Sequence, residues 1–93
     1  MVIISQDKTM ILNFEYIETI EIRNPLENND GKFKILCDTT SDNQYTIAEY
    51  KTEERAKEVL QEIIKAYREY RTAECDGYTD VLQETAVFEM PEE

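Results

Sequence analysis

Apolar and polar residues alternate with a period of two over much of the first fifty positions, then recur with a helical period over the next twenty or so. Val2-Ile3-Ile4 reads as a short apolar strand closed by a turn at Gln6-Asp7-Lys8. Thr9 to Phe14 alternates, with Met10, Leu12 and Phe14 on one face and Ile11 and Asn13 on the other. Tyr16 to Arg23 alternates again, Glu18, Ile20 and Ile22 opposing Thr19, Glu21 and Arg23. Asn24-Pro25 interrupts the strand, since proline has no N–H for a ladder. Asn28-Asn29-Asp30-Gly31 carries turn chemistry, because glycine takes positive φ without strain. Phe33 to Asp38 predicts the next strand, with Phe33, Ile35 and Cys37 on one face. After a turn at Thr40-Ser41-Asp42-Asn43, Gln44 to Tyr50 is rich in β-branched and aromatic residues. The pattern to this point is an antiparallel meander of about five strands.

The period then changes. Thr52 suits an N-cap, and Glu53 and Glu54 place negative charge at the favourable end of a helix dipole. Ala56, Val59, Leu60, Ile63, Tyr67 and Tyr70 form one apolar stripe, while Arg68 and Arg71 lie toward the other end. These residues predict a helix from Glu53 to around Ala73, with Gly77 at its exit. Tyr78 to Glu84 follows neither period. Ala86 to Met90 alternates, Ala86, Phe88 and Met90 opposing Val87 and Glu89, and predicts a last strand ending at Pro91. The expected fold is α+β, a single domain over 1–93. An antiparallel sheet of five or six strands, mostly a meander over 1–51, carries one long amphipathic helix (about 53–73) on one face. An acidic loop and terminal strand fill 74–93.

Composition narrows the chemistry. The chain has 93 residues, sized for one core. It has no histidine, which removes the usual general base near neutral pH, the commonest metal ligand and any Ser-His or Cys-His pair. Cys37 and Cys75 have no neighbouring cysteine to make a zinc half-site, and both read as reduced, structural thiols. The first residues form a strand rather than a basic segment followed by a long apolar one, and the aliphatic runs are too short to span a bilayer. A cytoplasmic location is expected.

Charge then bears on partners. There are 21 acidic and 10 basic side chains, a net charge of −11. Residues 1–51 hold nine acids and five bases, residues 52–73 five of each, and residues 74–93 seven acids and no base. A chain without a basic stripe is repelled by nucleic acid and by anionic membranes. The expected partner is a protein, and a basic one.

Three stretches carry a resemblance: Ile3-Ile4-Ser5-Gln6-Asp7-Lys8, the strand-to-helix junction from Ile47 through Tyr50-Lys51-Thr52-Glu53-Glu54 to Lys57, and Phe88-Glu89-Met90-Pro91-Glu92. Together they resemble small uncharacterised proteins found in phages, prophages and mobile elements of Gram-positive bacteria. The resemblance implies a mobile-element setting, where small acidic proteins often act on host or competitor machinery. It brings no catalytic residue with it.

Abundant carboxylates call for a metal test. With Gly77 at the sixth position of a calcium loop, Thr72 and Gln83 fall where acids are required; with Gly31 there, Leu26 and Cys37 do. Paired carboxylates of glycosidase type need a cleft and one raised pKa, for which a domain this small has little room. The two glycines make no phosphate loop. Cys75, between Glu74 and Asp76, is a poor nucleophile, because neighbouring negative charge raises a thiol pKa. Hence no catalytic group, cofactor or metal is expected.

Six tyrosines either pack their rings in the core with hydroxyls reaching water, or form an interface. Tyr70 and Tyr78 lie near the acidic tail, and Tyr16 could join on the opposite edge. Carboxylates at i and i+2 of a strand stand about 6.6 Å apart, close to the spacing of successive phosphates. The candidate partner-binding residues are Glu15, Glu18, Glu21, Tyr70, Tyr78, Glu84, Glu89, Glu92 and Glu93. These features predict a non-catalytic acidic protein-binding module. The alternative is an inhibitor of anti-CRISPR type that imitates nucleic-acid charge to block a host nucleic-acid-binding protein. A homodimer through an exposed edge strand is also open.

Overall fold

Turn chemistry sets up the first hairpin. In a computed structural model of the protein, residues 1–25, 31–73 and 86–93 are described in full and residues 74–76 by backbone alone. The Asp7 carboxylate accepts from the Ser5 hydroxyl at 2.8 Å and from the Thr9 N–H and hydroxyl at 3.0 and 2.7 Å. This local network holds Lys8 at a φ of 62°, a region most side chains avoid. Beyond the turn, β1 (Val2–Ile4) and β2 (Ile11–Asn13) pair antiparallel with Ile3 opposite Leu12. The Asn13 side chain then accepts from the Glu15 N–H at 3.0 Å and starts a single 3-10 turn over Phe14–Tyr16. That turn ends β2 earlier than the alternation from Thr9 to Phe14 predicts.

The next three strands form a second sheet. β3 (Ile17–Arg23), β4 (Phe33–Thr39) and β5 (Gln44–Tyr50) lie antiparallel in the order β3-β4-β5. Two irregularities shift the face pattern. Ile17 pairs with Thr39 but Thr19 with Asp38, so Glu18 is the extra residue of a bulge. Ile17, Ile20 and Ile22 therefore pack against the core. Glu18 is exposed rather than sharing the face of Ile20 and Ile22, a correction to plain alternation. Across β5, Ile35 pairs with Ala48 but Leu36 with Thr46, which leaves Ile47 as the extra residue. Ile47 and Ala48 are consecutive and both buried, something an unbroken strand on one face would not allow.

β6 (Val87–Glu89) lies parallel to β1, Ile3 opposite Phe88, and completes a first sheet of order β2-β1-β6. The expected single antiparallel sheet of five or six strands is thus corrected to two three-stranded sheets, one containing a parallel pair. The cause is local: the 3-10 turn detaches β3 from β2 and frees it to begin a new sheet.

Helix α1 (Glu53–Asp76) begins where the sequence places it. Thr52 Oγ1 accepts from the Arg55 N–H at 3.1 Å, and Lys57 pairs with Glu53 at 2.8 Å. The helix runs on past Ala73 to Asp76, so Arg68 and Arg71 stand short of its last turn, which contains no base. Ala56, Val59 and Ile63 are buried, with Leu60, Tyr67 and Tyr70 half-buried beside them. Phe14 of the 3-10 turn stacks on Tyr67 with ring centroids 4.5 Å apart. Ile3 and Leu12 from the first sheet and Met90 just after β6 meet Ile35, Ile47 and Tyr50 from the second sheet and Val59 from the helix in one core. Cys37 is free and fully buried within it, and burial together with neighbouring Asp38 pushes its thiol pKa up. Among the described residues, no helix is long and apolar enough to cross a membrane. The expected exit at Gly77, the segment from Tyr78 to Glu84 and the side chain of Cys75 lie outside the described residues.

Candidate functional site

The two sheets are joined at Gln6. β5 is the edge strand of its sheet, so the Ile47 carbonyl is available to the Gln6 N–H, at 2.8 Å. The Gln6 side chain reads the backbone of Glu49 in both senses, accepting from its N–H at 2.9 Å and donating to its carbonyl at 3.0 Å. Its amide nitrogen also lies 3.1 Å from the Pro91 carbonyl and 2.9 Å from that of Glu92. The Tyr50 hydroxyl donates to Pro91 O at 2.7 Å, and Arg55 Nε to Glu93 O at 2.8 Å. Residues 6, 49–50, 55 and 91–93 thus form a latch that ties the last strand to the strand-to-helix junction. The three segments singled out by resemblance meet here. Tyr50 departs from the expectation that tyrosine hydroxyls reach water: it is 3% exposed, and burial pushes its pKa up to about 12.

This latch accounts for several of the candidate carboxylates. Glu92 and Glu93 line a cavity of about 390 Å³ together with Lys32, Lys51 and Arg55. Glu89, exposed on β6, lies 3.8 Å from the Lys8 ammonium. Glu21 lies 3.3 Å from Arg23. The C-terminal acids that are described therefore stand among cations. Tyr70 belongs to the aromatic row along α1, its ring 6.4 Å from that of Tyr67. Tyr78 and Glu84 lie outside the described residues. Glu15 and Glu18, on the 3-10 turn and the β3 bulge, are exposed and, like the side chains of Glu92 and Glu93, have no ion pair among the described residues.

Between these two acids the chain exposes Tyr16 at 61%. Tyr16 is one wall of an open groove of about 630 Å³ that runs along β2 and meets the β4–β5 turn. Ile11, 73% exposed and the most exposed large apolar residue described, lines the same groove, as do Met10 and Tyr45. The groove residues themselves carry no charge. Asp42, exposed and held at a φ of 63° in the β4–β5 turn, adjoins the Ser41 wall. Asp7 adjoins the Thr9 end, and its hydrogen bonds from Thr9 and Ser5 hold its carboxyl below the usual carboxylate range. A groove that mixes apolar and aromatic side chains with hydroxyls and amides, with acids next to its lining residues along the chain, suits an apolar side chain flanked by cationic ones.

Sequence reasoning picked out Glu15, Glu18 and Tyr16 but not Ile11 or Gln6. Ile11 did carry a signal, as an aliphatic residue opposite Met10, Leu12 and Phe14 on the polar side of its strand. Gln6 carried none, since a turn glutamine looks like any other polar turn residue. Among the described residues, no three acidic or thiol side chains cluster as a metal site. Comparison with protein-family models, with curated proteins and with solved structures finds no match.

Proposed function

We propose that this chain is a non-catalytic acidic protein-binding module whose partner is a basic protein. A cytoplasmic, mobile-element setting belongs to the same reading. The observation that carries it is the groove of Ile11 and Tyr16, the two most exposed large apolar side chains described, with exposed Glu15 and Glu18, which have no ion pair among the described residues, flanking Tyr16 in sequence. Exposed aromatic and aliphatic anchors next to complementary charge are how small interfaces combine affinity with selectivity. Imitation of nucleic acid asks instead for a row of unpaired carboxylates at phosphate-like spacing. Here Glu21 and Glu89 face Arg23 and Lys8, and the bulge at Glu18 interrupts the spacing along β3.

The test compares affinity capture from a Gram-positive bacterial lysate by the wild-type chain with capture by Tyr16→Ala and by the double variant Glu15→Lys/Glu18→Lys. A protein held by wild type, lost by both variants and eluted by moderate salt supports the reading. Capture unchanged by the groove variants overturns it. Capture that instead disappears on charge reversal of Glu89, Glu92 and Glu93 would favour the nucleic-acid-mimic alternative.

A further inference from the structure

The groove has a backbone side as well as side-chain walls. Five consecutive residues, Thr9 to Asn13, all line it. Successive side chains of a strand point to opposite faces, so a surface touched by all five approaches β2 from its edge. The sheet order β2-β1-β6 makes β2 an edge strand.

The pairing with β1 says which groups that edge offers. Ser5 N–H donates to Met10 O at 2.9 Å and Phe14 N–H to Met1 O at 3.0 Å, and Ile3 stands opposite Leu12 in the same register. In an antiparallel ladder, alternate residues spend their backbone groups on one neighbour. Met10, Leu12 and Phe14 therefore face β1, while Ile11 N–H, Ile11 C=O and Asn13 N–H face the groove. The Asn13 carbonyl belongs to the 3-10 turn.

We infer that β2 accepts an added strand: an extended, lysine- or arginine-bearing segment of a partner protein that pairs with Ile11 and Asn13 as the fourth strand of the first sheet. This rests on the protein-binding reading above and gives it a mode. Backbone pairing over so short an edge supplies limited affinity, so alternate side chains must add to it. One set meets Ile11, Tyr16 and Tyr45. Cationic side chains meet the exposed acids that flank the groove's Tyr16 and Ser41 along the chain, Glu15, Glu18 and Asp42. A second copy of this chain is the less suitable occupant, because it would bring another net charge of −11, and another Glu15, to the same edge.

The probe is a capped heptapeptide of alternating lysine and valine, titrated into the isotopically labelled full chain and followed by NMR. Two further peptides carry N-methyl groups on alternate residues, one on each edge of the extended peptide. The expected result is saturable binding that slows amide exchange at Ile11 and Asn13 by about tenfold or more. One N-methyl peptide should lose that binding and the other keep it, and Glu15→Lys/Glu18→Lys should weaken it by at least about fivefold at low salt. Equal binding by parent and both N-methyl peptides would overturn strand addition while leaving side-chain docking, and hence the protein-binding reading, intact. Unperturbed Ile11 and Asn13 amides at millimolar peptide would overturn it as well. So would protection of those amides by self-association without peptide, since a second copy would then hold the edge.

Discussion

Gln6→Ala removes one side chain from a surface turn and should nonetheless loosen the joint between the two sheets. The amide nitrogen has two hydrogens to share among the carbonyls of Glu49, Pro91 and Glu92, and the amide oxygen accepts from Glu49 N–H. That amounts to three hydrogen bonds' worth of interaction, each contributing about 1 kcal/mol net. Water can reach the partly exposed members, so the expected loss is about 2–3 kcal/mol, set against a total stability of about 5–15 kcal/mol. For a domain of this size, such a loss lowers Tm by about 10–20 °C. Thermal and urea unfolding followed by far-UV circular dichroism measure it. Gln6→Glu sharpens the test, because it keeps an acceptor for Glu49 N–H but turns a carboxylate toward carbonyl oxygens. It should destabilise at pH 7 at least as much as alanine does. A fall in Tm below about 3 °C for Gln6→Ala, or a Gln6→Glu protein as stable as wild type, would refute the assignment of the joint to this side chain.

Tyr50 gives the same latch a pH dependence. Its folded pKa, about 12, lies above the ordinary value of 10.0, so its contribution is complete below pH 10 and is lost as pH rises from 10 toward 12. Urea midpoints measured across that window should fall more steeply for wild type than for Tyr50→Phe. At pH 7 that variant should itself be less stable by about 1 kcal/mol, through loss of the bond to Pro91 O; identical pH profiles would contradict the assignment. At the helix start, Thr52→Ala should cost about 1 kcal/mol in urea unfolding, because the Arg55 N–H loses its side-chain acceptor, and Thr52→Ser should recover most of it.

How much of this was legible in sequence depends on the range of the interactions involved. The start of helix α1 was readable to the residue, because a threonine cap, two first-turn glutamates and a stripe at three- and four-residue spacing are all local, whereas its end ran three residues beyond the expected Ala73. The core faces of β2 and β6 were readable for the same reason: Leu12 is buried and Phe88 packs against the core, while Ile11, Val87 and Glu89 are exposed. The bulges at Glu18 and Ile47 were not readable. A bulge is defined by its partner strand, and a period-two pattern with one extra residue still looks like a strand until that partner is known. The 3-10 turn at Phe14–Tyr16 hid in the same way, within an alternation that continued through it.

The candidate site shows the same limit more sharply. Strand parity tells which side chains are buried, but which backbone groups remain free depends on strand order, and strand order here turns on a long-range event. β6 joins β1 in parallel across more than eighty residues of sequence and occupies the side of β1 away from β2. β2 is the outer strand at the other end because the 3-10 turn sends β3 to the second sheet, and Ile11 thereby changes from an unremarkable exposed aliphatic into the centre of an open edge. The same pairing brings Pro91 and Glu92 to Gln6, and Glu92 and Glu93 among Lys32, Lys51 and Arg55. One parallel contact thus sets Glu89 beside Lys8 and places Glu92 and Glu93 around one cavity with Lys32, Lys51 and Arg55, a juxtaposition that charge counting along the chain does not show. A local reading of charge finds the acids, but only the sheet order tells which cations stand near them.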